Sequence, residues 1–407
     1  MKILHTADWH LGKRLDDFSR LEEQRAVLEE IVAIAEREAV DAVVVAGDLY
    51  DSFNPSTEAI ELFYKTLKRL ASDGKRPVIA IAGNHDSPDR VEAPDPLARE
   101  CGILFAGYPH SVPAPFVLES GLQVTQADEG FMELQLPHND APLRVLLTPY
   151  ANEFRLKTYL GHEDSDQALR VLLQERWREL ANRYCDARGV NLLVSHLFVV
   201  KKGEPLPEEP EDEKPILHVG GAQAIYTENI PSGIQYTALG HLHRMHRVDD
   251  TPCPAYYSGS PLSYSFSEAN QKKYVLIVEA EPSETATVRP VELTRVKRLL
   301  RARAEGIGHA LKWLSDNQDA LVELTLVTDT FLTAADRRKL NAAHPGIVAI
   351  IPEVTNARGL FVNRQKQIDL NQSMEALFRD YFLHEKGQEP NDEIMDLFHE
   401  IIAEEEE

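Results

Sequence analysis

Residues 1 to 12 read Met1-Lys2-Ile3-Leu4-His5-Thr6-Ala7-Asp8-Trp9-His10-Leu11-Gly12, an apolar run that stops at Asp8-x-His10. Such a run, four to eight residues long and bounded by polar residues, is the pattern of a buried strand. Two more follow, Ala42 to Ala46 ending in Gly47-Asp48 and Val78 to Ala82 ending in Gly83-Asn84-His85-Asp86. Amphipathic helices are predicted between them over Leu21 to Arg37 and Thr57 to Leu70. The order βαβαβ predicts an α/β protein with a sheet largely of doubly wound type.

Further strands are predicted over Phe131 to Leu136, Leu143 to Leu147, Asn191 to Ser195, Tyr236 to Leu239 and Tyr274 to Ala280, with a helix near Gln167 to Tyr184. After Glu279 the pattern changes. Ala286 to Leu293, Val296 to Ala302, Leu321 to Val327 and Ile347 to Ile351 read as strands interleaved with two helices, a small α+β domain. Beyond Asn356 a polar linker leads to helical segments over Asn371 to Glu385 and Asp392 to Ala403. Met374, Leu377, Phe378, Tyr381 and Phe382 make one face of the first apolar, and Ile394, Leu397, Phe398 and Ile401 do so on the second. Two such faces need burial against something else.

With 407 residues and 43% hydrophobic content the chain suits two or three globular domains. It carries no signal-peptide or membrane-spanning run, so a cytoplasmic protein is expected. Cys101, Cys185 and Cys253 are widely spaced, which excludes a disulfide framework and a zinc knuckle. The net charge of −23 does not by itself point to nucleic acid. It is unevenly spread, with an acidic loop at Glu208, Glu209, Glu211, Asp212 and Glu213, an acidic tail from Glu404 to Glu407, and a basic stretch, Arg295, Lys297, Arg298, Arg301 and Arg303. That stretch reads equally as a solvated face or as a phosphate-contacting strip.

Chemistry gathers at strand ends. Besides the three already quoted, Ser195-His196 and Gly240-His241-Leu242-His243 each close an apolar run. Open α/β sheets bind ligands at the carboxyl ends of their strands, so these loops should converge. Asp, Asn and His without thiolate suit manganese, iron or magnesium better than structural zinc. The set is too rich for one ion, and two ions bridged by a carboxylate, with Asp48 the natural bridge, would clamp the oxygens of a phosphoester.

Asp8-x-His10, Gly47-Asp48, Gly83-Asn84-His85-Asp86 and Gly240-His241-x-His243, in that order, resemble the calcineurin-type metallophosphoesterase signature. More narrowly, the segments His5 to Gly12, Ala46 to Asp51, Gly83 to Ser87, Ala238 to Arg244 and Ser258 to Pro261 resemble the SbcD family of bacterial double-strand-break repair nucleases, along the whole chain. The resemblance implies a four-layer β-sandwich flanked by helices, a small capping domain and a C-terminal helix pair. The expected boundaries are 1–282 for the nuclease domain, 283–355 for the DNA-binding cap, 356–370 for the linker and 371–407 for a segment docking on the coiled coil of an SMC-like ATPase, SbcC.

Position by position, the resemblance implies one metal on Asp8, His10, Asp48 and His243 and the other on Asp48, Asn84, His196 and His241, manganese or else magnesium. His85 is then the non-ligand catalytic histidine, with Asp86 orienting it. Asp51 stands where archaeal and eukaryotic relatives carry a further active-site histidine. The implied activity is 3′ to 5′ double-strand exonuclease and single-strand or hairpin endonuclease cleavage of DNA, by a homodimer in a two-plus-two complex. The same ligands would equally serve a phosphatase acting on nucleotides or phosphoproteins. A non-catalytic scaffold for the ATPase is disfavoured by the complete ligand set.

Overall fold

A computed structural model describes residues 1–16, 18–158, 165–204, 224–329, 332–354, 373–386, 390, 395 and 398. The acidic loop at 208–213, the linker 356–370, most of the second C-terminal helix and the acidic tail lie outside the described residues.

The chain opens with β1 (Lys2–Thr6), α1 (Leu21–Arg37), β2 (Ala42–Ala46), α2 (Thr57–Ala71), β3 (Val78–Ile81) and β4 (Ile103–Ala106). A second run follows, β5 (Gln123–Asp128), β6 (Phe131–Gln135), β7 (Leu143–Thr148), α3 (Ser165–Tyr184), β8 (Val190–His196), β9 (Tyr236–Gly240), β10 (His246–Asp249) and β11 (Ala255–Tyr257). Then β12 (Tyr274–Glu279) and β13 (Thr287–Glu292) return to the first sheet, whose order is β13-β12-β1-β2-β3-β4. The second sheet runs β10-β11-β9-β8-β7-β6-β5.

Alternation along the strands builds the layers. Leu4, Val43, Val45, Val78 and Ala80 face one way, onto Val27, Leu28 and Ile31 of α1 and Leu62, Phe63 and Leu67 of α2. Their neighbours Ile3, Ala42, Val44, Ile79 and Ile81 face the other way, onto Val145, Leu192, Val194 and Ala238 of the second sheet. Outside that sheet, Leu146, Leu193 and Leu239 pack on Leu169, Leu173 and Trp177 of α3. The result is four layers, helix, sheet, sheet, helix. The first sheet therefore departs from the doubly wound expectation. Its parallel strands β1 to β4 advance in one direction, so α1 and α2 fall on one face and the second sheet takes the other.

The segment after Glu279 also differs from expectation. Thr287–Glu292, expected within the small α+β domain, pairs antiparallel with β12 from Tyr274↔Glu292 to Glu279↔Thr287, so it is an edge strand of the first sheet. The small sheet begins later, with β14 (Arg298–Glu305), α4 (Gly306–Ser315), β15 (Ala320–Thr328), α5 (Ala334–Ala343) and β16 (Ile347–Val354), in the order β14-β15-β16. Leu299 and Leu321 join Leu15 and Phe266 in a small core of their own. Two compact units are found, Met1–Leu326 with Thr333–Ile351, and Val327–Leu332 with Pro352–Glu407. In the second lies α6 (Met374–Lys386), where Phe378 stacks on Phe398 with centroids 4.1 Å apart. Among the described residues no helix is long and apolar enough to cross a membrane.

Candidate metal centre

Register brings the strand ends together. Thr6 lies opposite Val45, Ala46 opposite Ile81, and His196 opposite Gly240, so the loops after β1, β2, β3, β8 and β9 leave from one rim. The first two loops continue side by side, with Asp8 N donating to Gly47 O at 2.9 Å and His10 N to Asp48 O at 3.0 Å. The two sheets meet through His196, whose Nδ1 donates to Ala46 O at 2.8 Å. They approach so closely that a Cβ on Gly240 would overlap Ala46 O, and within the first sheet a Cβ on Gly83 would overlap Asp48 Oδ1. Only glycine fits at these two places.

All seven candidate ligands arrive here. His10 Nε2 lies 3.0 Å from His243 Nε2, and ligand atoms of Asp8, His10 and His243 all fall within 4.8 Å of one another. On the other side, Asn84 Oδ1 is 3.0 Å from both His196 Nε2 and His241 Nδ1. Asp48 joins the two groups, its Oδ2 standing 3.4 Å from His10 Nε2 and 3.4 Å from His196 Nε2. Four of the seven, Asp8 (φ 53°), His10 (φ 42°), Asp48 (φ 48°) and His241 (φ 109°), have backbone in or beyond the left-handed region. Such conformations in non-glycine residues cost free energy and cluster at functional sites.

The electrostatics call for a cation. Burial and the neighbouring Asp48 raise the Asp8 carboxyl to about 7, working against the adjoining histidines, and Asp8 Oδ2 is buried with no hydrogen-bond partner among the described residues. Burial keeps His241 down at about 3 and His10 well below the usual imidazole range, so both are neutral and carry a free lone pair. For His196 burial alone would lower the value, but the Asp48 carboxylate beside it raises it to about 9. Its bond to Ala46 O places a proton on Nδ1, which turns Nε2 toward Asp48 and Asn84. The neutral imidazoles of His10 and His241, with the carboxylates and the Asn84 amide oxygen, surround a buried Asp8 oxygen that has no partner among the described residues, a donor set that fits divalent metal.

His85 stands beside these groups. Its backbone N donates to Asp48 Oδ1 at 3.0 Å, its ring packs edge-on against His10 with centroids 4.8 Å apart, and its Nδ1 lies 3.0 Å from Asp51 O. A carbonyl only accepts, so Nδ1 bears the proton. Asp86, expected to orient His85, has its carboxylate bonded to the main chain. Its two carboxylate oxygens are taken by Leu49 N at 3.0 Å, Tyr50 N at 2.9 Å and Gly83 N at 2.8 Å, which ties the loop after β2 to the loop after β3. The orienting partner is main-chain Asp51, while the Asp51 carboxylate accepts from Lys13 Nζ at 2.9 Å and stands 3.7 Å from His10 Nδ1.

Three residues that matter here went unread in the sequence. Arg155, 4% exposed, donates to Gly83 O at 2.7 Å and Asp86 O at 2.8 Å, clamping the loop that carries Asn84 and His85. Glu268 Oε1 is 3.5 Å from His243 Nδ1 and ion-pairs with Lys273. Burial alone would raise the Glu268 carboxyl, but the Lys273 ammonium and the facing His243 together outweigh it and hold it at about 2. Among the aromatics of these loops, Trp9 and Tyr50 are buried in the core and Phe53 is exposed. In the basic stretch, Arg295 lies 3.9 Å from Glu29 and Arg301 is 2.7 Å from Glu323, so part of that charge is neutralised by its own surface.

Residues 1–245 match the calcineurin-like phosphoesterase family. The SbcD component of nuclease SbcCD from Bacillus subtilis (strain 168) is 36% identical over 411 aligned residues, 99% of this chain and 98% of its own. The chain belongs to the SbcD family. The SbcD components of nuclease SbcCD from Rhodobacter capsulatus and Staphylococcus epidermidis are 32% and 29% identical, over 75% and 86% of this chain and 72% and 85% of theirs. Membership makes the chain a metal-dependent phosphodiesterase of metallophosphoesterase fold, with the strand-end cluster as its candidate divalent-metal centre.

Proposed function

We propose that the chain is the nuclease component of an SbcCD-type complex and hydrolyses phosphodiester bonds in DNA with two manganese ions. One is held by Asp8, His10, Asp48 and His243 and the other by Asp48, Asn84, His196 and His241. The observation that carries this reading is the placement of Asp48 Oδ2, 3.4 Å from a histidine of each group, where a shared carboxylate belongs. Bound there, the ions supply positive charge to the attacking and leaving oxygens. With Nδ1–H spent on Asp51 O, His85 would act as the imidazolium, taking a second proton from solvent on Nε2 and passing it to the leaving oxygen or holding it against the charge developing there. Asp86 and Arg155 keep its loop in place.

The partner is the SMC-like ATPase of the family, docked on the C-terminal helices, and the complex is two-plus-two, with the small α+β domain as the DNA-binding cap and ATP driving 3′ to 5′ exonuclease cutting of duplex ends. Met374 and Tyr381 on α6 support this, being apolar yet 65% and 60% exposed. The test is cleavage of linear duplex, hairpin and single-stranded DNA with manganese or magnesium, with and without the ATPase and ATP. Manganese-dependent cutting of hairpins and single strands, with duplex ends cut only when partner and ATP are present, is expected. Cleavage of phosphoproteins or free nucleotides but not DNA would overturn the reading.

A further inference from the structure

We propose that the buried Glu268–Lys273 ion pair is the positioning element for His243, and that it makes the metal position on Asp8, His10, Asp48 and His243 the tighter of the two. This rests on the two-metal reading above.

Glu268 and Lys273 side chains are each only 2% exposed. Removing two charges from water is expensive, and an apolar pair of the same volume would serve stability as well. The arrangement instead converges on His243. Glu268 Oε1 faces His243 Nδ1 at 3.5 Å and is itself fixed by Tyr264 N at 3.0 Å. Lys273 Nζ holds the other carboxylate oxygen of Glu268, and also donates to His243 O at 3.0 Å and to Ser260 Oγ at 3.0 Å. Side chain and main chain of His243 are thus set by one ion pair. A carboxylate on Nδ1 keeps the proton there, aims the Nε2 lone pair at His10 and Asp8, and makes the imidazole a stronger donor. At the second position His196 Nδ1 is bonded to a neutral carbonyl, Ala46 O at 2.8 Å, and the carboxylate near it, Asp8 Oδ1 at 3.9 Å, is itself a proposed ligand of the first ion and not part of a separate buried ion pair.

The test is Mn2+ binding to the full chain, by calorimetry and by electron paramagnetic resonance. Wild type should bind two ions with distinct affinities and show a coupled dinuclear spectrum. Glu268→Gln should weaken the tighter step by roughly 10- to 100-fold, leave the weaker step within about twofold, and replace the coupled spectrum by a mononuclear one at stoichiometric Mn2+. Should the single variant leave Lys273 unpaired and fail to fold, Glu268→Gln with Lys273→Met removes both charges and should give the same selective loss in a folded chain. Unchanged affinities and spectrum in the folded variant overturn the positioning role, as does an equal loss at both steps. A wild type that binds fewer than two ions overturns the two-metal reading instead.

Discussion

His85 Nδ1 donates to the main-chain oxygen of Asp51 at 3.0 Å, so the orientation of the ring depends on the backbone of residue 51 and not on its side chain. His85→Gln should keep both metals and lose about 10²- to 10⁴-fold in phosphodiester turnover, as expected for loss of an acid or electrostatic group. Asp51→Asn should leave the ring in place and cost far less. Metal content and single-turnover rates of both variants check this, and wild-type turnover in a fully loaded His85→Gln chain would refute it.

Asp86 carries a different expectation. Because its carboxylate receives three backbone N–H groups, Asp86→Ala leaves buried donors unpaired and should destabilise the chain by at least about 1.5–3 kcal/mol, the scale of one hydrogen bond to a charged group. Chemical denaturation would show it. A drop in turnover without a drop in stability would return Asp86 to a role in orienting His85.

His5 sits between the sheets, fully buried, with Nδ1 2.8 Å from Tyr236 Oη, and burial lowers it from 6.5 to about 3. Between those values the unfolded chain binds a proton that the folded chain does not. Stability therefore falls as pH drops below 6.5, by up to about 1.4 kcal/mol per pH unit, and the loss ends near 3. His5→Gln should remove that slope from the variant's own curve, so that the stability difference between wild type and variant changes with pH across the window. Denaturation midpoints across the window measure it, and parallel curves would count against the assignment.

Deleting residues 371–407 should abolish capture by the ATPase while metal-dependent cleavage of short single strands persists, because every candidate ligand precedes residue 244. Stacking of Phe378 on Phe398 supports the paired apolar faces that the docking would cover. Stoichiometric co-purification of the truncated chain with the ATPase would place the interface elsewhere.

The strands that carry the site were legible because a buried strand ending in Asp or His joins two independent signals, an apolar run and a hard-ligand residue. Short strands such as Ile103–Ala106 and Ala255–Tyr257 escaped, being too brief to show a period. Thr287–Glu292 was visible as a strand, but alternation cannot tell which sheet an edge strand joins. For Asp86, adjacency to His85 suggested a partner, but the sequence carries no sign of the backbone N–H groups to which its side chain turns. Arg155, Glu268 and Lys273 lie in unpatterned stretches far along the chain from the residues they hold, and only tertiary structure pairs them.

Each proposed ligand group draws on both sheets, Asp8 and His10 from the first with His243 from the second, and Asn84 from the first with His196 and His241 from the second. Metal loading is then a rivet through the sandwich. Whatever prises the sheets apart must first strip the ions, so free metal at 100 times its dissociation constant adds about 2.7 kcal/mol per site to the resistance of the whole fold. Resistance to unfolding thereby becomes a gauge of how fully the nuclease is armed.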